Sequence, residues 1–140
     1  MAAADTHEPD QRPARVLVVD DEDSITQLVA TVLRYEGFEV ACAGDGKSAV
    51  RTARSFDPDL VVLDVMLPGV DGFDVCRAIK EDPETSSIPV VLLTAKKGTQ
   101  DQEMGRAVGA DAYITKPFKS VKVLEVIEGL LRSAATGKPA

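Results

Sequence analysis

Three runs of four consecutive apolar residues, VLVV at 16–19, LVVL at 60–63 and VVLL at 90–93, constrain this chain more than any other feature. Each is bounded by polar or turn-forming residues, and none alternates apolar with polar. A strand with one wet face would alternate, so these are strands covered on both faces, the usual condition of a parallel sheet. Between them lie helical patterns. Ile25, Leu28, Val29, Val32 and Leu33 keep the i, i+3, i+4, i+7, i+8 spacing and are read as the buried stripe of a helix over 23–36, with Gly37 as its stop. A weaker strand is predicted at 38–43, and helices at 45–56, 72–80 and 99–108. A last strand at 112–115 ends before Pro117. The final helix is expected to carry Val121, Leu124, Ile127, Leu130 and Leu131 on one side. Five βα units in succession give right-handed crossovers and a doubly wound α/β sandwich.

At 140 residues the chain has the size of one domain. Residues 15–133 are read as that domain, with 1–14 and 134–140 as tails. Sixteen Lys and Arg against 23 Asp and Glu leave a net charge of −7, which disfavours direct contact with a nucleic-acid backbone. The single histidine, His7, falls in the polar first stretch, so neither a Ser/His/Asp triad nor a histidine-rich metal site can form. Cys42 and Cys76 lie in apolar settings with no CxxC and are read as buried free thiols. No 18-residue apolar run and no secretory leader pattern is present, so the expected location is the cytoplasm, with no membrane partner.

In an open α/β sheet, ligands bind beyond the carboxyl ends of the strands. Those ends carry Asp20, Asp21 and Glu22 after the first strand, Asp64 after the third, Thr94 after the fourth and Lys116 after the fifth. Any one of them could be a solvated loop residue or a helix cap. Their convergence on one sheet edge points to chemistry. Close carboxylates repel one another unless a hard, oxygen-preferring cation compensates them, and Mg²⁺ suits an Asp cluster that also meets phosphate oxygens. Lys116 could bind a phosphoryl oxygen and Thr94 could donate to another, while the small Ala95 leaves room for the group. Asp64 is then the nucleophile.

The segments RVLVVDDEDSI, DLVVLDVMLPGVDGFDVCR, VVLLTAK and GADAYITKPF resemble the response-regulator receiver domains of two-component signalling, CheY-like modules, over about residues 15–132. The resemblance implies a flavodoxin-like sandwich with a five-stranded parallel sheet in the order 2-1-3-4-5. It implies that Asp64 is the phosphoacceptor, that Asp20, Asp21, Asp64 and the Met66 backbone carbonyl form the Mg²⁺ site, and that Thr94 and Tyr113 are the switch pair. Lys116 would pair with the phosphate, and the Lys116–Pro117 peptide would be cis. A histidine kinase or phosphotransfer protein would be the donor, docking on the first helix through residues such as Thr26, Gln27 and Thr31, with Ile25 and Leu28 in the core. The output surface would be the fourth helix, fifth strand and fifth helix, with Arg106, Asp111, Lys119 and Lys122 as candidate contacts, acting on a downstream protein or on an output domain if the chain is a fragment. Met66 and Lys96 occupy the positions that tune phosphate lifetime. Ala112 stands where the winged-helix regulators of the family often carry a second Asp, which puts their characteristic dimer in doubt.

Gly44, Gly46 and Ala49 fit G-x-G-x-x-A, and Gly46-Lys47-Ser48 ends like a P-loop. Glu39 and Cys42 in the preceding strand argue against the first, Ala41 in place of the leading glycine argues against the second, and Asp45 capping a helix accounts for the turn. A magnesium-dependent phosphatase of the haloacid dehalogenase type would draw on Asp20 with Glu22, where that family's Asp-x-Asp would put a second Asp at position 22, so activity as an enzyme on other substrates is not expected. The remaining alternative is a receiver-like interaction module that takes no phosphate.

Overall fold

The computed structural model describes residues 12–94 and 99–135; residues 1–11 and 136–140 of the expected tails 1–14 and 134–140, with His7, Ala95 and Lys96, lie outside the described residues. The three apolar runs become β1 (Arg15–Val19), β3 (Leu60–Asp64) and β6 (Val90–Thr94), the centre of a five-stranded parallel sheet whose edges are β2 (Glu39–Ala43) and β7 (Ala112–Thr115). The order is β2-β1-β3-β6-β7. It matches the expected 2-1-3-4-5 once a short antiparallel pair, β4 (Met66–Leu67) and β5 (Val70–Asp71), is counted apart.

Successive residues of the strands point to opposite faces. Leu17, Val19, Val61, Leu63 and Leu92 pack with Ala49 and Ala53 of α2 (Gly46–Ser55) and with Val75, Cys76 and Ile79 of α3 (Gly72–Glu81). Val16, Val18, Val62, Val91 and Leu93 face α1 (Asp23–Tyr35) and α5 (Ser120–Ala135), meeting Val29, Leu33, Val123 and Ile127. The remaining helix, α4 (Thr99–Ala107), lies beside β7. Each fully buried Val, Leu or Ile contributes about 1.5–3 kcal/mol, so the two apolar layers supply the main driving force.

The ends of α1 and α2 follow the expected signals. Gly37 has φ +98°, and it and Phe38 donate their N–H groups to the carbonyls of Arg34 and Leu33, closing the last turn of α1 in a Schellman motif. Phe38, buried on the same layer as Leu33, supplies the accompanying apolar contact and lies just outside β2. Asp45 caps α2 by accepting from the Ser48 N–H at 2.8 Å, which lowers its carboxyl pKa.

Several burial expectations need correction. The inward stripe of α1 is Thr26, Val29, Ala30 and Leu33, whereas Leu28 is 50% exposed. Thr26 lies in phase with Val29 and Leu33, and its hydroxyl donates to the Asp20 carbonyl at 3.1 Å, which satisfies the polar group on the face that those residues turn towards the sheet. On α5 the buried side carries Val123, Ile127 and Leu130; Val121, in the first turn, points to solvent. Cys42 is exposed because β2 is an edge strand that its neighbours cover poorly, while Cys76 is buried as expected. Ala14, counted with the tail, is buried, and its carbonyl accepts from Glu39 N–H.

Asp111 is a structural clamp rather than a surface contact. Its carboxylate accepts from Val90 N–H at 2.8 Å, its own N–H donates to the Val90 carbonyl, and Lys80 Nζ sits 2.8 Å from the same carboxylate oxygen. Asp59 repeats the arrangement on Arg15, accepting from its N–H at 2.8 Å and donating to its carbonyl.

The two thiols should behave differently. Burial pushes the Cys76 thiol up to about 11, so maleimide at neutral pH is expected to modify Cys42 alone in the folded protein and both cysteines in guanidinium. Intact mass reads the result; two rapid additions without denaturant would contradict the packing of α3.

Candidate functional site

Parallel strands deliver their carboxyl ends to one edge, and here that edge collects Asp20 just past β1, Asp64 closing β3, Thr94 closing β6 and Lys116 just past β7. Asp20 and Asp64 are each only 2% exposed. The Lys116 ammonium lies 3.2 Å from an oxygen of each, and 3.9 Å from Glu22. The remaining oxygens are held by backbone: Glu22 N–H donates to Asp20 at 2.9 Å and Met66 N–H to Asp64 at 3.0 Å. Asp21 is exposed but brings an oxygen to the same place, so that Asp20, Asp21 and Asp64 offer carboxylate oxygens within 4.8 Å of one another. Asp21, Glu22, Asp64, Met66 and Lys116 line a cavity of about 370 Å³.

Charge at this edge is out of balance. One ammonium is shared by two buried carboxylates, with Asp21 and Glu22 close by. Burial raises the Asp64 pKa and the neighbouring Asp20 charge raises it further; the Met66 N–H and Lys116 pull it down without cancelling the rise. For Lys116, burial alone would lower the pKa, but hydrogen bonding and charge attraction to Asp20 and Asp64 prevail and hold it up. An all-oxygen donor set with uncompensated negative charge fits a hard divalent cation such as Mg²⁺.

The support around these groups is backbone-tight. Gly72 N–H donates to the Val65 carbonyl at 2.9 Å, and a Cβ at position 72 would collide with the Asp64 carbonyl and the Val65 Cα. Asp71 caps α3 through Phe73 N–H at 2.9 Å. Thr94 is buried, and its carbonyl accepts from Lys116 N–H at 2.6 Å. Tyr113 pairs with Leu92 and Thr115 with Thr94, so period-two alternation places Thr94 and Tyr113 on the same face of the sheet. The Lys116–Pro117 peptide is cis.

Asp20, Asp21, Asp64, Met66, Thr94 and Lys116 thus fall on this edge and Tyr113 on the strand beside it, while Ala95 and Lys96 lie outside the described residues. Thr26 and Gly72 were missed as supports. A polar residue in phase with Val29 and Leu33, and a glycine directly after the capping Asp71, were their only signals. The competing glycine motif finds no use: the space a Cβ would take at Gly46 lies 2.6 Å from a Val70 methyl, so the backbone there is covered and not open to a pyrophosphate.

The fold and this carboxylate–lysine edge define a receiver-type module. The family described as "Response regulator receiver domain" matches residues 16–128, and the chain belongs to that family. Among relatives, it is 47% identical over 118 residues to the DNA-binding response regulator MtrA of Mycolicibacterium smegmatis, covering 84% of this chain and 50% of that one. It is 46% identical over 123 residues to the transcriptional regulatory protein TcrX of Mycobacterium tuberculosis, covering 88% and 52%. The chain spans about half the length of these relatives. Among solved structures, chemotaxis response regulator CheY4 of Vibrio cholerae superposes with a TM-score of 0.80 at 32% identity, covering 84% of this chain and 98% of that one. The receiver domain of sensor histidine kinase PA1611 of Pseudomonas aeruginosa, with magnesium coordinated in its active-site cleft, gives 0.79 at 28% identity, covering 86% and 99%.

Two outcomes follow from this geometry. An acid with a raised folded-state pKa keeps its proton while the unfolded chain loses it, so stability falls as pH rises from the ordinary carboxylate range through the folded pKa and stays reduced above it. Asp64→Asn is therefore expected to unfold at higher temperature than wild type at neutral pH in chelator, with the gap closing in acid; a lower midpoint would contradict the charge imbalance. Gly72→Ala should cost about 3 kcal/mol in urea unfolding through backbone overpacking, and a cost within error of zero would show that α3 can slide.

Proposed function

We propose that this receiver domain is a phosphoacceptor switch in which Asp64 takes a phosphoryl group from a phosphohistidine of a histidine kinase or phosphotransfer protein. The observation that carries this reading is the buried Asp64 carboxylate, opening on a cavity it shares with Lys116 and Asp21. An Asp64 oxygen attacks phosphorus, the P–N bond to the donor imidazole breaks, and the electron pair returns to the ring nitrogen. Asp20, Asp21, Asp64 and the Met66 carbonyl would hold Mg²⁺, which supplies neutralisation of the phosphoryl charge. Lys116 stays within reach to pair with a phosphoryl oxygen, and the Thr94 hydroxyl donates to another. The chain turns over no external substrate; its chemistry is its own phosphorylation and dephosphorylation.

Phosphorylation adds about −1.5 to −2 charge where one carboxylate stood, and re-biases the region around it. Thr94 and Tyr113, on one face of the sheet, are the pair that would relay this to the surface of α4, β7 and α5, where Arg106, Lys119 and Lys122 are candidate contacts. Kinase docking is assigned to α1. Its exposed residues include Gln27, Leu28, Thr31 and Tyr35, so the buried Thr26 drops out of the docking face and Leu28 and Tyr35 give that face apolar area.

No helix among the described residues is long and apolar enough to cross a membrane, and we place the domain in the cytoplasm. The charge argument against direct DNA contact concerns this acidic domain alone. MtrA is named a DNA-binding regulator and is about twice the matched length, so output through a DNA-binding part of a longer protein stands beside output through a separate partner.

Incubation with Mg²⁺ and acetyl phosphate should add one phosphoryl group to wild type and none to Asp64→Asn by intact mass. No addition to a folded wild type would favour the phosphate-independent interaction module, and hydrolysis of added phosphomonoesters would favour a phosphatase. The Met66 side chain is apolar and 67% exposed over the cavity, offering attacking water no hydrogen bond. Met66→Asn should therefore lose its phosphoryl group faster than wild type; equal rates would remove Met66 as a determinant of lifetime.

A further inference from the structure

A second concavity, of about 700 Å³, lies between α2 and α3 and reaches the β4–β5 hairpin at Val70. Its floor is Val50, Val70 and Val75, with Ala78 on the α3 wall. Val70 closes one end by lying over Gly46, and Ala78 on α3 is exposed. One wall is basic: Lys47, Arg51 and Arg54 follow one another at i, i+4 and i+7 on α2, all exposed, in a helix with no acidic residue. Arg54 is neutralised by Asp82 at 2.6 Å. Lys47 and Arg51 form no ion pair among the described residues; Arg51 donates to the Ser48 hydroxyl at 3.5 Å and its charge reaches Asp45, and the facing wall offers Asp74. In a chain of net charge −7 this is an isolated basic rim on an apolar trough.

We propose that the α2–α3 groove docks an acidic amphipathic helix of a protein partner, with apolar side chains on the valine floor and carboxylates against Lys47 and Arg51. The complementarity decides the occupant. A basic segment would meet two unpaired cations. A nucleic acid would find two exposed cations beside an apolar floor, in a domain that repels it overall. The ten residues of α2 span about 15 Å, room for roughly three turns of a docked helix. The surface is separate from α1 and from α4, β7 and α5.

The test uses the full chain and a synthetic 14-residue helical peptide with Leu at i, i+3 and i+7 and Glu at the flanking positions, followed by methyl NMR and by fluorescence anisotropy. The expected result is saturable binding with shifts centred on Val50, Val70 and Val75. Lys47→Glu/Arg51→Glu should weaken it at least tenfold, and so should added salt. Ala78→Glu, on the other wall, should weaken it as well, while acetyl phosphate still modifies all variants and so reports that they fold. Absence of binding at millimolar peptide would overturn the proposal, as would equal binding of a Lys-for-Glu peptide, shifts centred elsewhere, or displacement by duplex DNA. Residues 1–11 carry Asp5, Glu8 and Asp10; peptide binding that appears only after their deletion would make this chain's own segment the occupant and overturn an external partner.

Discussion

One ammonium group holds the active edge together. Asp20 and Asp64 come from adjacent strands and are both almost fully buried, a placement that two like charges could not share unaided. Lys116 reaches them from beyond the far edge strand, so a contact between residues nearly a hundred positions apart ties β1, β3 and β7 into one unit. The ammonium compensates only part of the charge. The remainder is an electrostatic demand that the protein alone leaves unmet, and it makes the same residues a fitting place for a hard cation. Stability and receptivity thus pull against each other at one site, as expected where a fold keeps a functional group in an unfavourable setting.

The fold was legible because its central strands are covered on both faces. Unbroken runs such as LVVL have no soluble alternative, and once they are placed the crossover rule fixes the architecture. What resisted reading lay where burial is one-sided or local. Cys42 sits among apolar neighbours in sequence but on an edge strand in space. Helix α1 has two apolar rows in its periodicity, and the face that buries Thr26 and leaves Leu28 out carries a hydrogen bond to the Asp20 carbonyl that no spacing rule shows. The pair of two-residue strands β4 and β5 is too short to leave a periodic trace.

The site was more legible than its supports. Acid, hydroxyl and lysine at successive strand ends are visible because parallel topology forces strand ends together. The Gly72 contact with the Asp64 carbonyl depends on how closely α3 approaches β3, a distance set by packing and not by residue type. The α2–α3 trough was invisible for a related reason: its basic row is ordinary helix surface until α3 and Val70 are placed beside it.

Asp59 and Asp111 each close a two-bond ring with the first or neighbouring residue of a strand, at the end of the sheet opposite the carboxylate edge. Each ring fixes where a strand begins relative to the next, and it does so without calling on any residue of the site. Alignment of the sheet is therefore anchored at one margin while reactivity is written at the other. Loops at the reactive margin can lengthen, shorten or change composition without shifting the frame, a division of labour that lets one scaffold carry many different outputs.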